Sequence, residues 1–267
     1  MSARRIGAIL LRQLYLFRGS PARILPLFGW VAIDVILWGF ITRYLNSVTS
    51  SGYNFVPAFL GAVLLWDFFT RVMQGVTTAF FEDVWSRNFL NLFATPLRIS
   101  EYLAGLVGAS IWTSLIGLAV MLTLAQGVFG ISLFPYGWLL IPYFLVLFLC
   151  GMALGIFASA IVLRIGPAAE WLIWPIPAML SPFAAVFYPL STLPRWMQWI
   201  GHILPPAYIF EGMRAILAGR LAPLSNLLIG SGLAALCLAL ASWYFLRVHR
   251  YVLRTGLIAR YSAETVS

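Results

Sequence analysis

The sequence predicts an all-α polytopic membrane protein, and three observations predict it. The 267-residue chain is 62% hydrophobic and 9% charged, whereas a soluble domain carries about 25% charged residues. Apolar runs of about 20 residues, the length that crosses a hydrocarbon core, recur along the whole chain. No polar stretch between them is long enough to bury a core of its own, so residues 1–267 read as a single transmembrane domain.

Residues 1–22 interleave Arg4, Arg5, Arg12 and Arg18 with Ile6, Ile9, Leu10, Leu14, Leu16 and Phe17. That pattern predicts a helix lying in the interface with its arginines among the headgroups. Gly19-Ser20-Pro21 breaks it and turns the chain into the bilayer. Six spans follow by hydropathy, over residues 24–45, 55–80, 102–124, 138–163, 171–190 and 227–246. The first is long and contains Asp34, so it reads as a span and not as a cleaved signal peptide. The fourth carries Gly151-x-x-x-Gly155, a spacing that allows close helix packing but arises too often by chance to mark a dimer seam.

Between spans two and three lies F-E-D-V-W-S-R-N-F-L-N-L-F-A-T-P-L, residues 81–97. As a helix it puts Phe81, Val84, Trp85, Asn88, Phe89, Leu92 and Phe93 on one largely apolar face. Glu82, Asp83, Ser86, Arg87 and Asn91 fall mostly on the other, with Asp83 and Arg87 spaced to pair. Thr95-Pro96 ends the helix. The segment reads either as an interfacial helix or as a docking surface for a water-soluble partner, and the second reading is preferred. Residues 188–226, between spans five and six, are too long for a turn and too apolar for a free loop. Pro194 opens one short helix, Pro205-Pro206 separates it from a second, and Gly219 ends that one, the expected placing of proline and glycine. Each piece is about half a span in length. Together they predict a re-entrant hairpin from the outer face, with Glu211 and Arg214 three residues apart and Trp196 and Trp199 as interface anchors; an ordinary interfacial cap is the plainer alternative.

Charge placement orients the chain. All 17 basic residues are arginine. Arg4, Arg5, Arg12, Arg18, Arg23, Arg87, Arg98, Arg164, Arg247, Arg250, Arg254 and Arg260 fall on one side of the six-span topology, against Arg195, Arg214 and Arg220 on the other. The positive-inside rule makes the first side, with both termini and residues 81–97, cytoplasmic. The basic tail is a topology signal and has too few aromatics for a nucleic-acid stacking platform.

The absence of lysine removes the residue on which a phosphate-binding P-loop and Schiff-base chemistry depend. Energy from ATP must therefore arrive through another polypeptide. Cys150 and Cys237 lie inside predicted spans as small hydrophobes. His202 and His249 are expected on opposite sides of the membrane, so they do not share a metal. Within the spans, Asp67 and Arg71 are four apart in W-D-F-F-T-R and are read as a structural ion pair in preference to a transport site. Asp34 has no local partner, leaving two options: an arginine on another helix or a hydrated cavity.

Y-P-L-S-T-L-P-R-W-M-Q-W-I-G-H-I-L-P-P-A-Y-I-F-E-G-M-R, residues 188–214, closely resembles the C-terminal signature of ABC-2 type permeases, the membrane subunits of type V ABC exporters. The matching positions are Pro189, Leu190, Pro194, Trp196, Pro205, Glu211 and Arg214. R-N-F-L-N-L-F-A-T-P-L-R-I-S-E-Y-L-A-G, residues 87–105, resembles that family's loop between spans two and three. The resemblance extends over essentially the whole chain and implies several things. The permease works as a homodimer in a bacterial inner membrane. Each copy docks one ATPase subunit, two in all, through a coupling helix at residues 81–93, with Glu82, Asp83, Trp85, Arg87 and Asn88 as docking candidates. The hairpin contributes an outer gate, with Pro194, Trp196, Trp199, Glu211 and Arg214 as its residues. This chain needs no cofactor and is not an enzyme; ATP and Mg belong to the partner. The 11 Trp, 11 Tyr and 20 Phe, with few intramembrane charges, favour an amphipathic, lipid-like or glycan-type cargo and contact with membrane lipids. A secondary transporter, which needs coupling acids and internal repeats, and a membrane-embedded lipid-modifying enzyme, which needs clustered acids or histidines, are the competing classes.

Overall fold

The computed structural model describes residues 2–19, 21–48, 55–86, 89–130, 137–217, 220–221 and 223–257. Its longer helices are α1 (Ala3–Arg18), α2 (Pro21–Val48), α3 (Phe55–Trp85), α5 (Ile99–Phe129), α6 (Gly137–Ile165) and α11 (Leu224–Arg254), with α4 (Phe89–Ala94) between α3 and α5. Between α6 and α11 come α7 (Glu170–Ile173), α8 (Ile176–Leu180), α9 (Arg195–Ile203) and α10 (Pro205–Leu217). Among the described residues, four helical stretches are long and apolar enough to cross a membrane: Phe59–Trp85, Ile99–Phe129, Leu140–Ile165 and Leu224–Arg254. α2, 28 residues long, and the interrupted α7–α8 stretch stand where spans one and five were expected.

That fifth stretch departs from expectation. Residues 171–190 do not form one helix. α7 gives way to a turn at Trp174-Pro175, α8 follows, and turns continue to Ala185. The cause is Pro175 and Pro177, which have no N–H to donate to the carbonyls four residues back. Trp174, Pro175 and Ser181 keep helical dihedrals, so the path is an interrupted helix and not a loop. From residue 170 to 185 it covers roughly 22 Å at 1.5 Å per residue, short of a hydrocarbon core of about 30 Å.

The expected helix over residues 81–93 is also corrected. α3 runs on without a break through Trp85, turns at Ser86, and only then does α4 begin. The apolar face foreseen for a separate amphipathic helix is real, but it packs inside the protein. Phe81 and Val84 are buried in one cluster with Ile9, Tyr102, Ala169, Ile173 and Phe245. α4 stops at Ala94, before Pro96, as the sequence requires.

α3 is the pillar of the bundle and contributes to all three apolar clusters. One of its faces is pressed against α6. A Cβ at Gly151 would lie 2.8 Å from the carbonyl oxygen of Phe69, and one at Gly155 would lie 2.8 Å from that of Met73. The Gly-x-x-x-Gly spacing is therefore used within the chain, where it lets two backbones touch. α6 and α11 run parallel, and their C-terminal ends meet where Arg164 Nη1 donates to Tyr244 Oη at 3.3 Å. That end of the bundle, which also carries α1 and the last turn of α3, gathers Arg5, Arg12, Arg164, Arg247, Arg250 and Arg254; it is called the basic end below.

α9 and α10 form the expected helical pair with its corner at Leu204. The corner, Leu204 to Pro206, shares a cavity with Cys150 of α6 and Cys237 and Leu240 of α11, in the middle of those helices. α10 packs Ala207, Phe210 and Met213 into the interior, while Trp196, Trp199 and Ile203 of α9 are exposed.

The α3–α6 contact is tested by Gly155→Val, expected to cost about 1–3 kcal/mol from overpacking against backbone and read as a lower thermal-unfolding midpoint of the purified protein. Gly232→Ala, where an added Cβ meets nothing within 4 Å, is expected to leave that midpoint unchanged or raised, alanine being the better helix former.

Candidate functional site

Two polar assemblies meet at α3, one on each side of its basic end. The first is a clamp that holds α1. Asp83, 0% exposed, forms an ion pair with Arg12 and accepts a hydrogen bond from Tyr102 Oη at 2.7 Å. One helical turn earlier, Gln13 Nε2 donates to the Ala79 carbonyl at 3.3 Å. Glu101, 1% exposed, takes the Ser2 backbone N–H at 2.7 Å, the Arg98 N–H at 3.1 Å and Arg5 Nη1 at 3.3 Å. The bond from Arg98 is the reach-back of an N3 glutamate that satisfies an open donor at the start of α5. Ile9 and Leu10 seat against Gly105 and Gly108, where a Cβ would collide with them. A carboxylate as buried as Asp83 is tolerable only with a counter-charge and hydrogen bonds. The clamp therefore fixes α1 to the ends of both α3 and α5.

The second assembly is a polar cavity of about 630 Å³. α3 supplies Asp67, Thr70, Arg71, Gln74, Thr78, Glu82 and Trp85; α2 adds Trp30 and Asp34, α1 adds Phe17, and Trp174 comes from the α7–α8 break. The steps from Asp67 to Arg71, Gln74, Thr78 and Glu82 are four, three, four and four residues, which is one face of a helix. Gly117 of α5 leaves room for the Arg71 side chain. Arg71 interacts electrostatically with both Asp67 and Asp34. Asp67, Arg71 and, from α2, Asp34 thus stand around one cavity within electrostatic reach of each other. Asp34, expected either beside an arginine of another helix or in a hydrated cavity, lines this cavity together with Arg71.

The three docking candidates among the described residues do not lie on one surface. Glu82 and Trp85 face the polar cavity, while Asp83 points away from it into the clamp. Asp83 was expected on an exposed face, and its burial against Arg12 corrects that; its expected pairing with Arg87 lies outside the described residues. Arg87 and Asn88 lie outside the described residues. Trp85 is half exposed and donates its Nε1–H to Glu170 Oε2 at 2.9 Å, tying the end of α3 to the start of α7.

Of the five hairpin candidates, Trp196, Glu211 and Arg214 converge on residues 183–190, while Trp199 is exposed. Pro194 caps α9, and Trp196 meets Phe183 edge-on with ring centroids 6.2 Å apart. Arg214 and Glu211 form an ion pair at 3.1 Å. Glu211 Oε1 accepts the Leu190 N–H at 2.7 Å, and Arg214 Nη1 donates to the Ala185 and Val186 carbonyls at 2.8 and 3.3 Å. Ala185 is fully buried with φ of 52°, a left-handed conformation that costs a non-glycine residue roughly 1–2 kcal/mol. Glu211 and Arg214 thus hold the strained turn that ends the interrupted helix.

Gln13, Tyr102 and Glu101 in the clamp, and Gln74, Thr78 and Trp174 in the cavity, were not foreseen. The stripe on α3 was detectable by extending the helical period in both directions from Arg71. The clamp partners are 71 and 19 residues from Asp83 along the chain for Arg12 and Tyr102 respectively, and no local pattern joins them.

Among the described residues, long apolar helices thus carry a buried ionic clamp at one end and a polar stripe inside, the build of a membrane protein. Comparison with protein families sharpens this: the profile of the ABC-2 type transporter family matches residues 4–218, and the chain belongs to that family. It is a multi-pass membrane protein of an ABC permease class. A comparison with curated proteins finds no match.

Removing one partner of the buried pair leaves the other charge uncompensated. Asp83→Ala and Arg12→Ala are each expected to destabilise by about 3–5 kcal/mol, and the double variant by clearly less than their sum. A double-mutant cycle on unfolding measures this, and simple additivity would remove the clamp. Arg214→Gln is expected to lower stability by roughly 1.5–3 kcal/mol, the range for hydrogen bonds to a charged group, with the same readout.

Proposed function

We propose that this chain is the membrane-spanning permease subunit of an ATP-driven type V exporter, working as a homodimer in a bacterial inner membrane with both termini cytoplasmic. It carries an amphipathic, lipid-like or glycan-type substrate outward. Two copies of a separate ABC ATPase bind ATP and Mg and supply the work. The family match over residues 4–218 is the observation that carries this reading.

The geometry suits the division of labour. Ser86 and α4 lie on the connection between α3 and α5, where Ser86, Asn91 and Ala94 are exposed, and Glu82 and Trp85 stand at its root. A partner that presses on this connection moves the end of α3. The clamp makes α1 and the start of α5 move with it, and the cavity stripe rides on the same helix. Displacement at the basic end is then felt at Asp67 and Arg71, about 24 Å from Trp85 up to the level of Phe69. Carboxylates, one guanidinium and indoles lining one space suit a cargo with both polar and apolar parts. At the other end, Pro194, Trp196, Trp199, Glu211 and Arg214 form the outer gate on a hairpin that re-enters the bilayer, which is supported by its corner lying beside Cys150 and Cys237.

A proton-coupled transporter is the second reading, favoured by the two carboxylates that line one cavity with Arg71. The discriminating experiment is purification with the ATPase, reconstitution, and a screen for compounds that stimulate hydrolysis. Stimulated hydrolysis that is lost in Asp67→Asn, and transport that stops without nucleotide, are the expected results. Transport by this chain alone, driven by a pH gradient, would replace the exporter with the second reading.

A further inference from the structure

Away from the polar cavity, on the α6–α11 side, lies a second cavity of about 390 Å³. Its walls include Cys150 and Phe157 of α6 and Cys237, Leu240, Trp243 and Tyr244 of α11, with the α9–α10 corner above. A buried water needs two to four polar partners, and these hydrocarbon, aromatic and thiol walls do not offer them. The cavity also opens sideways: Phe157, Leu240 and Trp243 are 40%, 55% and 55% exposed, on helices that face the surrounding medium. Its natural occupant is therefore a chain of methylenes that enters laterally.

What stands at the mouth gives the occupant a headgroup. Arg164 hydrogen-bonds the Tyr244 hydroxyl at 3.3 Å and lies 6.0 Å from the centre of the Tyr251 ring. Arg247, one turn beyond the cavity's Trp243, lies 4.9 Å over that indole. Both arginines are exposed. Each is braced on an aromatic wall residue or its neighbour, so their forks are held at the basic rim. Guanidinium is the group suited to bidentate contact with a phosphate diester.

We infer that Arg164, Arg247 and the α6–α11 cavity form a binding site for one anionic phospholipid, with an acyl chain between Cys150 and Cys237 and the phosphate on the two arginines. The site is separate from the polar cavity and does not depend on which cargo the permease carries. It makes lipid occupancy a property of the α6–α11 pair and of the hairpin corner that closes the cavity.

Cys237 is a built-in reporter. In a Cys150→Ala background, the rate at which an apolar maleimide labels Cys237 is measured on the full chain in lipid-free micelles. It is then measured with added phosphatidylglycerol, phosphatidylcholine or glycerol phosphate. Phosphatidylglycerol is expected to slow labelling about tenfold, phosphatidylcholine distinctly less, and glycerol phosphate not at all. In R164Q/R247Q the two lipids are expected to act alike, and in Leu240→Trp, which fills the cavity from its exposed rim, neither is expected to change the rate. Equal protection by both lipids in the unaltered chain, protection by glycerol phosphate, or an unchanged phosphatidylglycerol effect in Leu240→Trp would overturn the site. The last test stands even if the arginine variant does not fold.

Discussion

The buried carboxylate of Asp83 is the constraint on which the basic end depends. A charge with no access to water has to be neutralised by what is packed around it. The chain supplies Arg12 from the N-terminal helix and Tyr102 from the start of α5. Three segments far apart in sequence are thereby fixed around one atom pair. The amphipathic α1 would otherwise be free to lie anywhere in an interface; here its position is dictated from inside the protein, and Glu101 repeats the arrangement about two turns of α1 away with Ser2 and Arg5.

α3 divides the remainder. Its apolar side meets Gly151 and Gly155 with backbone contact, and its polar side lines the cavity with Asp67, Arg71, Gln74 and Glu82. A helix packed so closely along one edge has little freedom to rotate. The polar side groups are thus presented at fixed heights, and motion is confined to translation or tilt of the pillar with what is attached to it.

Much of this was legible in the residues. Hydropathy placed the long helices, and Pro194 and Pro205-Pro206 placed the start of α9 and the corner between α9 and α10. The signature residues Glu211 and Arg214 were paired correctly because their partners are local. Two features were misread for definite physical reasons. The amphipathic pattern at residues 81–93 signals an apolar face but not what covers it, and here the cover is α5, α11 and the α7 region and not a membrane surface. The apolar run at residues 171–190 has the composition of a span, yet Pro175 and Pro177 interrupt the hydrogen-bond ladder that a continuous span requires. The clamp and the meeting of Asp34 with Arg71 depend on tertiary neighbours, which no periodicity encodes.

The prolines of the fifth stretch have a mechanical corollary. A continuous helix resists flexing because every turn is laced to the next. The segment between Glu170 and Ala185 lacks three of those laces, at Pro175, Pro177 and Pro182, is anchored below by the indole of Trp85, and is anchored above by the guanidinium of Arg214. Compliance in the bundle is therefore concentrated in one slender strut pinned at both ends, next to a rigid column. When the column shifts, the strut has the means to buckle at Trp174, and that residue's ring forms part of the wall of the polar chamber.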